Sequence, residues 1–349
     1  MAKGLDCGTS FYIASTEESI KKQRNAFLTV EGESTTVKRM LKRQRIPFVE
    51  KSGKVHIVGQ HAFNYAQIFG SVELKRPMSK GLLNPQEKDA LPILNAIIGE
   101  LLGDSKKDEI CTYCVPSAPI DQDRRVDYHE DVLKQIIEGY GYKARPIEEA
   151  VALAYEGLVD NNLTGIAISM GAGMCNIAVM YAGMSALTFS VTRGGDWIDE
   201  NVANDTGVSK AKVQNIKESA QLIDLSKGVQ DDIYGEGTGE EQKNVLHAIR
   251  SYYGVLINYL LTNLQHQFEG ADKMPNFPDD VPIIIGGGTC LIKGFIDVFN
   301  EQFDQEKFPI PVKEIKIVED SHTAISRGCL SEALLIEEEE DESEETKEK

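Results

Sequence analysis

Two short segments, far apart in the chain, carry residues suited to holding an anion. Gly4-Leu5-Asp6-Cys7-Gly8-Thr9-Ser10 runs into Phe11-Tyr12-Ile13-Ala14, and Ala167-Ile168-Ser169-Met170-Gly171-Ala172-Gly173 runs into Asn176-Ile177-Ala178-Val179. Each reads as an apolar strand, a tight turn of glycine and small residues, and a second strand. Aligned on Gly8 and Gly171, the two turns share strand, glycine and small residues in register. Such turns let backbone N–H groups point into the loop and let an anion approach closely. Two loops of this kind facing one another would grip a chain of phosphates from both sides, which points to a duplicated fold with nucleotide between its halves. A third glycine cluster, Gly286-Gly287-Gly288, ends a segment read as a buried strand, Asp279–Ile285, and precedes a helical pattern. Strand–glycine–helix junctions are favoured phosphate or nucleoside sites, although three glycines can also make a mere turn.

Cys111-Thr112-Tyr113-Cys114 has the spacing of a redox or metal motif, but the run from Glu109 to Val115 reads as a buried strand. Positions three apart on a strand face opposite ways, so the two sulfurs should diverge, and no second cysteine pair or nearby histidine completes a zinc set. Reduced core cysteines are the simpler reading. The six histidines are scattered without ligand spacing.

The elements that would position the glycine loops alternate between strand and helix, twice over. Residues 2–30 read as successive strands, and short strands lie within 31–71 beside a basic patch of Lys38, Arg39, Lys42, Arg43 and Arg45. That patch is either a solvated face or a surface for an acidic partner, such as the tail of a neighbouring subunit. Asn84, Pro85 and Glu87 suggest a capped helix start, with Leu91, Leu94, Ile97, Ile98 and Leu101 at helical spacing and Gly103 as its stop. A helix from about Asp121 to Gly139 follows the strand at 109–115. The second half has a strand–turn–strand over 165–181, a helix opened by Gly194-Gly195-Asp196, a long helix over about 244–268 and the strand before the triple glycine. This order gives an α/β protein of two similar halves.

Composition bounds the rest. With 349 residues, 41% apolar and 26% charged, the chain has room for two domains. Nine acidic residues and two lysines in 337–349 carry −7 of the formal −18, leaving −11 on the body. An acidic body argues against direct nucleic-acid binding. No stretch is apolar enough to span a bilayer and no signal peptide or membrane anchor is recognised, so a cytoplasmic location is expected. The tail after Ile336 has no apolar face and is expected to be disordered.

Eight segments, in order, resemble the actin, heat-shock chaperone and sugar kinase superfamily, and within it the bacterial actins of the MreB and MamK type. They are Gly4–Thr9; Arg76-Pro77-Met78-Ser79-Lys80-Gly81; Val115-Pro116-Ser117 with Asp121-Gln122-Asp123-Arg124-Arg125; Ile147-Glu148-Glu149-Ala150; Thr192-Arg193-Gly194-Gly195-Asp196; Lys217-Glu218; Ile285-Gly286-Gly287-Gly288; and Thr323-Ala324-Ile325-Ser326-Arg327-Gly328. The resemblance implies an α/β, actin-like two-domain fold of duplicated ribonuclease H-like domains with a nucleotide cleft between them. Residues 1–158 and 322–336 would form domain I, with 31–71 as a small subdomain, and 159–321 domain II, with a reduced lid near 219–243.

It also implies roles. Asp6 would hold water around a nucleotide-bound Mg²⁺, which keeps most of its waters and needs few carboxylates; taken alone, Asp6 could simply cap a turn. Gly8, Thr9 and Ser10, with Gly171, Ala172 and Gly173, would hold the phosphates of ATP. Lys217 and Glu218 would contact the adenine, and Gly286, Gly287 and Gly288 would lie against the adenosine. Asp123 would orient the attacking water where the family has a glutamate, its carboxylate about one methylene further back. Ser169 replaces the family's usual aspartate in the second phosphate loop; it brings no charge, so binding should survive and hydrolysis be slow. The implied function is a cytoskeletal filament subunit that assembles with itself and with adaptor proteins. A soluble ATP-dependent chaperone-like or reactivating factor and a small-molecule kinase are the alternatives, the last without a visible substrate-binding insertion.

Overall fold

The computed structural model describes residues 1–30, 34–69, 74–84, 86–106, 109–218, 223–227, 239–271 and 274–348. Most of the segment expected to form a reduced lid, residues 219–222 and 228–238, lies outside the described residues. The chain divides into two units: Met1–Pro116 with Arg125–Ala152 and Ile325–Lys349, and Ser117–Arg124 with Leu153–Ala324.

In the first unit, β1 (Lys3–Cys7), β2 (Phe11–Ser15) and β3 (Ile20–Arg24) form an antiparallel meander. The chain then builds a small sheet from β4 (Phe27–Val30), with α1 (Ser34–Arg43), β5 (Phe48–Lys51), β6 (Lys54–Val58) and α2 (Gln60–Phe69) completing it. Its own core is Leu28, Leu41, Ile46, Val55, Ile57 and Ala62. A short ribbon, β7 (Met78–Ser79) and β8 (Leu82–Leu83), leads to α3 (Ala90–Leu102), β9 (Ile110–Val115), α4 (Asp127–Gly139) and β10 (Lys143–Glu148). The large sheet runs β3-β2-β1-β9-β10, with β1, β9 and β10 parallel.

Helix α5 (Glu149–Gly157) carries the boundary between units. The second unit repeats the pattern with β11 (Gly165–Met170), β12 (Cys175–Tyr181), β13 (Met184–Val191), α6 (Gly195–Thr206), α7 (Lys210–Glu218), α8 (Glu240–Gly270), β14 (Val281–Gly286), α9 (Phe295–Gln302) and β15 (Val312–Ile317). Its sheet runs β13-β12-β11-β14-β15, again a three-stranded antiparallel meander followed by two parallel strands. Strand order and direction are therefore the same in both units. The inner strands β9, β11 and β14 are buried at every position, which is why they read as continuous apolar runs rather than alternating ones. Helix α8 buries Leu246, Ile249, Tyr253, Leu256, Ile257, Leu260 and Leu264, a stripe at helical spacing, in the core of the second unit.

The closing helix α10 (Ala324–Glu348) returns to the first unit and packs at backbone distance. The Ser15 and Ser326 hydroxyls lie 2.7 Å apart, both fully buried. A Cβ on Gly4 would overlap the Ser326 carbonyl, and one on Gly328 would overlap the carbonyl of Ala152 in α5.

Three element boundaries differ from the sequence reading. Helix α3 starts at Ala90 rather than near Pro85, and Asn84 instead caps a turn, accepting from Gln86 N at 3.1 Å. Pro92 supplies the reason: in the first turn its missing N–H costs nothing, whereas an earlier start would put it inside the helix. Helix α4 starts at Asp127, because Asp121 is held elsewhere, as described below. The acidic tail was expected to be disordered, but α10 continues to Glu348. Glutamate is a good helix former without an apolar face, and the first acidic turn is anchored: Lys143 Nζ lies 2.6 Å and Arg145 Nη2 3.7 Å from Glu340, and the N-terminal amine 3.7 Å from Glu337.

One buried group couples this fold to pH. His129 on α4 is 1% exposed, and among the described residues neither ring nitrogen finds a hydrogen-bond partner. Burial pushes its pKa down to about 4. The folded state favours the neutral ring, so its contribution to stability is present above the unfolded pKa of 6.5 and is lost as pH falls toward 4. Between pH 7 and 5 this group alone should cost about 2 kcal/mol. Urea titrations of wild type and His129→Leu at both pH values check it: the variant should lose that much less.

Candidate functional site

The first glycine loop is a four-residue connection pinned at several points. Cys7 pairs with Tyr12 across it and Asp6 with Ile13, so Gly8–Phe11 make the turn. A Cβ on Gly8 would sit 2.6 Å from the Phe11 carbonyl oxygen, which glycine alone avoids. Asn25 ties the loop from outside: its Nδ2 donates to Gly8 O at 3.1 Å and its backbone N to Ser10 O at 2.9 Å. The hydroxyl of buried Thr9 accepts from Gly81 N at 3.1 Å, which joins the loop to the turn between β7 and β8.

Asp6 stands near the end of β1, 8% exposed. Its Oδ1 lies 3.4 Å from Cys114 Sγ. Burial first, then Cys114 and Glu149, hold its pKa well above the ordinary carboxylate range, with Lys22 opposing. A buried acid beside a glycine loop, with no ion pair to a cation among the described residues, fits a divalent ion held through water. Among the described residues no group of three or more His, Cys, Asp and Glu side chains is placed to ligate a metal directly. All six cysteines are free and buried, including both of the Cys111–Cys114 pair. The Cys111 thiol is pushed up to about 12 by burial, and Cys114 Sγ instead accepts from Cys7 N at 3.2 Å.

The second loop occupies the same register: Met170 pairs with Cys175 and Ser169 with Asn176, so Ser169 stands where Asp6 does and Gly171–Met174 make the turn. Its carbonyls are turned inward. Gly171 O accepts from Gly195 N at 3.0 Å and Thr289 Oγ1 at 2.8 Å, and Ala172 O accepts from Asp196 N at 2.8 Å. These bonds fasten the loop that carries Gly173 to the first turn of α6 and to Thr289 after β14. A Cβ on Gly194 would lie 2.5 Å from Gly171 O. Ser169 is fully buried and lies beside Gly286 on β14.

Asp123 is positioned by its neighbours. Asn176 Oδ1 accepts from Ser117 N at 3.1 Å, and Ser190 Oγ donates to Ser117 O at 2.7 Å. Asp121 accepts from Thr192 N at 2.9 and 3.0 Å on its two oxygens and from the Tyr259 hydroxyl at 3.3 Å. The Arg193 guanidinium covers the Tyr259 ring at 3.8 Å. With Asp121 locked in this way, Asp123 lies on an exposed link before α4, and among the described residues its carboxylate has no partner. A carboxylate held on a fixed link but left free is available to orient water. Asp121 and Tyr259 were not singled out from sequence; the two-residue spacing of Asp121 from Asp123 was the available signal.

Lys217 is committed rather than free. Its Nζ lies 2.7 Å from Asp199 Oδ1 and donates to Gly195 O at 2.9 Å, where α6 begins. Burial raises the pKa of Asp199 and Lys217 opposes that shift. Glu218, at the exposed end of α7, accepts from Gln214 Nε2 at 2.7 Å.

The three glycines after β14 divide by role. A Cβ on Gly286 would meet Leu153 Cδ1 at 2.5 Å, while Gly287 has φ +92° and would meet Met170 O at 2.5 Å. Both are required by the fold. Gly288 is exposed, with open space where its Cβ would be. Gly288→Val should therefore leave the melting temperature within about 2 °C, a near-neutral surface change. If a nucleoside lies against it, affinity should fall at least tenfold, which titration with a fluorescent ATP analogue measures.

Residues 1–333 match the sequence pattern of the Volactin family. The chain belongs to the Volactin family. Among curated proteins none matches it in sequence. Solved structures do. The MamK double helical filament aligns with this Volactin-family chain at TM-score 0.66 and 15% identity, covering 95% of this chain and 98% of the other. MreB5 of Spiroplasma citri bound to AMPPNP aligns at 0.65 and 16%, covering 98% of both. The ethanolamine utilization protein EutJ from Carboxydothermus hydrogenoformans aligns at 0.50 and 15%, covering 94% and 89%. The fold of this Volactin-family chain is the actin-like two-domain fold.

Proposed function

We propose that this protein is a cytoskeletal filament subunit that binds Mg-ATP and adds head to tail to copies of itself in the cytoplasm. The observation that carries the reading is the paired loop: two glycine turns in the same register of two sheets with the same strand order. The named states of the similar structures, a filament for MamK and an AMPPNP complex for MreB5, support it. Among the described residues no helix is long and apolar enough to cross a membrane.

The backbone of Gly8, Thr9 and Ser10 and that of Gly171, Ala172 and Gly173 would hold the phosphates of the nucleotide. Asp6 would hold a Mg²⁺ ion through its waters, and the ion would supply positive charge for the phosphates. Asp123 accepts a hydrogen bond from the attacking water and sets its line of approach. Ser169, at the position equivalent to Asp6, contributes no charge, so turnover is slow. Gly288 gives the adenosine a flat surface, while Lys217 braces α6 through Asp199 with Glu218 beside it at the base.

Likeness to EutJ, whose name describes no filament, keeps one second reading in view: an ATP-binding, chaperone-like factor that never assembles. Light scattering with simultaneous phosphate detection separates the two. Adding Mg-ATP should raise scattering before phosphate appears, and Asp123→Ala should slow phosphate release at least tenfold while leaving the rise intact. Phosphate release with no rise at any concentration would favour the chaperone-like reading.

A further inference from the structure

The first unit carries two surfaces of opposite charge that its own architecture keeps apart. Residues 38–45 contain five cations and no acid: Lys38, Arg39, Lys42, Arg43 and Arg45. Lys38 is spent on Glu50. Among the described residues the other four side chains have no partner, and all four are exposed, as is Met40 between them. Leu41, fully buried in the small core, fixes which face of α1 points outward.

The acidic surface lies at the other side. Helix α10 crosses the large sheet strand by strand: Ser326 meets Ser15 on β2, Leu330 meets Gly4 on β1 and packs with Ile110 on β9, and Glu340 meets Lys143 and Arg145 on β10. Its 25 residues span about 37 Å. Beyond Glu340 it runs on past the β10 edge through a segment rich in Asp and Glu. The basic helix belongs to the small sheet that follows β3, the opposite edge of the same large sheet. Five strands separate the two edges by about 19 Å. Along α10 the contacts run from β2 to β10, away from the β3 edge that the small sheet follows, which favours a meeting of the two faces between molecules over one within a molecule. They can meet between molecules, one face of each copy used once, which is a heterologous contact that continues rather than closes.

We propose that the basic face of α1, through Arg39, Lys42, Arg43 and Arg45, is the docking surface for the acidic end of α10 of a second copy. The inference deepens the self-assembly reading and rests on it. Contacts between exposed charges steer association and set register, and they weaken as salt shortens the Debye length from about 10 Å at 0.1 M.

The test uses full-length protein, half of it ¹⁵N-labelled, cross-linked with a zero-length carbodiimide. Mass spectrometry should find Lys42 joined to an acid of 337–348, in mixed-isotope pairs. Arg39→Glu/Arg43→Glu, which keeps Lys42, should lose that link and raise the critical concentration for sedimentation at least tenfold. Adding Glu344→Arg/Glu345→Arg to it should restore both. If polymer forms equally well with the reversed helix and no mixed-isotope link appears, the docking surface is wrong and the filament reading stands. A mixed-isotope link, abolished by the reversal, in protein that never sediments would support the surface and sink the filament reading. A link found only within single-isotope chains would overturn the proposal outright.

Discussion

Asp6→Asn should cut the stabilisation of this protein by Mg-ATP to about half or less while leaving the nucleotide-free protein at least as stable as wild type. The two effects have one cause. Burial raises the carboxyl's folded pKa well above its ordinary value. A raised folded pKa means the protonated form is favoured by the fold, so stability is fully present below the unfolded pKa near 3.9 and is lost as pH rises toward the folded value. At pH 7.5 the wild type therefore carries a buried acid that disfavours folding, and the neutral amide removes that cost. A cation reverses the balance, because it needs the ionised form. Loss of that group should weaken Mg-ATP binding on the order of 10–100-fold. Ligand at 100 times the wild-type Kd stabilises by about 2.7 kcal/mol, and the weakened binding would leave about 0.4 to 1.4 kcal/mol, so the thermal shift should fall by about half or more. Differential scanning fluorimetry with Mg-ATP, with ATP and EDTA, and without nucleotide reads both effects. A full Mg-ATP shift in the variant would remove Asp6 from the site.

Gly328→Ala should destabilise the first unit by about 3 kcal/mol or more, at the top of the range for overpacking. Alanine would ordinarily improve a helix by about 1 kcal/mol. Here the added Cβ would overlap the Ala152 carbonyl, which is backbone and cannot rotate aside. Relief would require α10 to lift from α5, and the same helix is held on its other side by Gly4 and by the Ser15–Ser326 pair. Gly139→Ala, in a helix with nothing within 4 Å of the new carbon, is the control and should be neutral or stabilising. Equal behaviour of the two variants in urea unfolding would contradict the packing described.

The duplicated loops were legible in the sequence because glycine and small residues at a strand end have few other uses, and the two copies align on Gly8 and Gly171. The inner strands were equally plain from their apolar runs. Boundaries set by distant partners were not. Whether the stretch at Asp121 is helix or link depends on Thr192 N and Tyr259, residues 71 and 138 positions away. The helical tail depends in part on Lys143 and Arg145, whose meeting with Glu340 no local pattern reveals. Among the three glycines the sequence offers no distinction. Only the surroundings separate Gly286 and Gly287, needed for packing and for a positive φ, from Gly288, which the fold leaves open. The commitment of Lys217 to Asp199 was hidden for the same reason, since the pair spans two helices.

Nucleotide is expected to control self-assembly. High-speed sedimentation of purified protein over a concentration series, with Mg-ATP, with Mg-ADP and with no nucleotide, tests it most directly. A pellet should appear in Mg-ATP above a critical concentration and grow linearly beyond it, with a higher threshold in Mg-ADP. Protein that binds ATP yet stays in the supernatant at every concentration would contradict it.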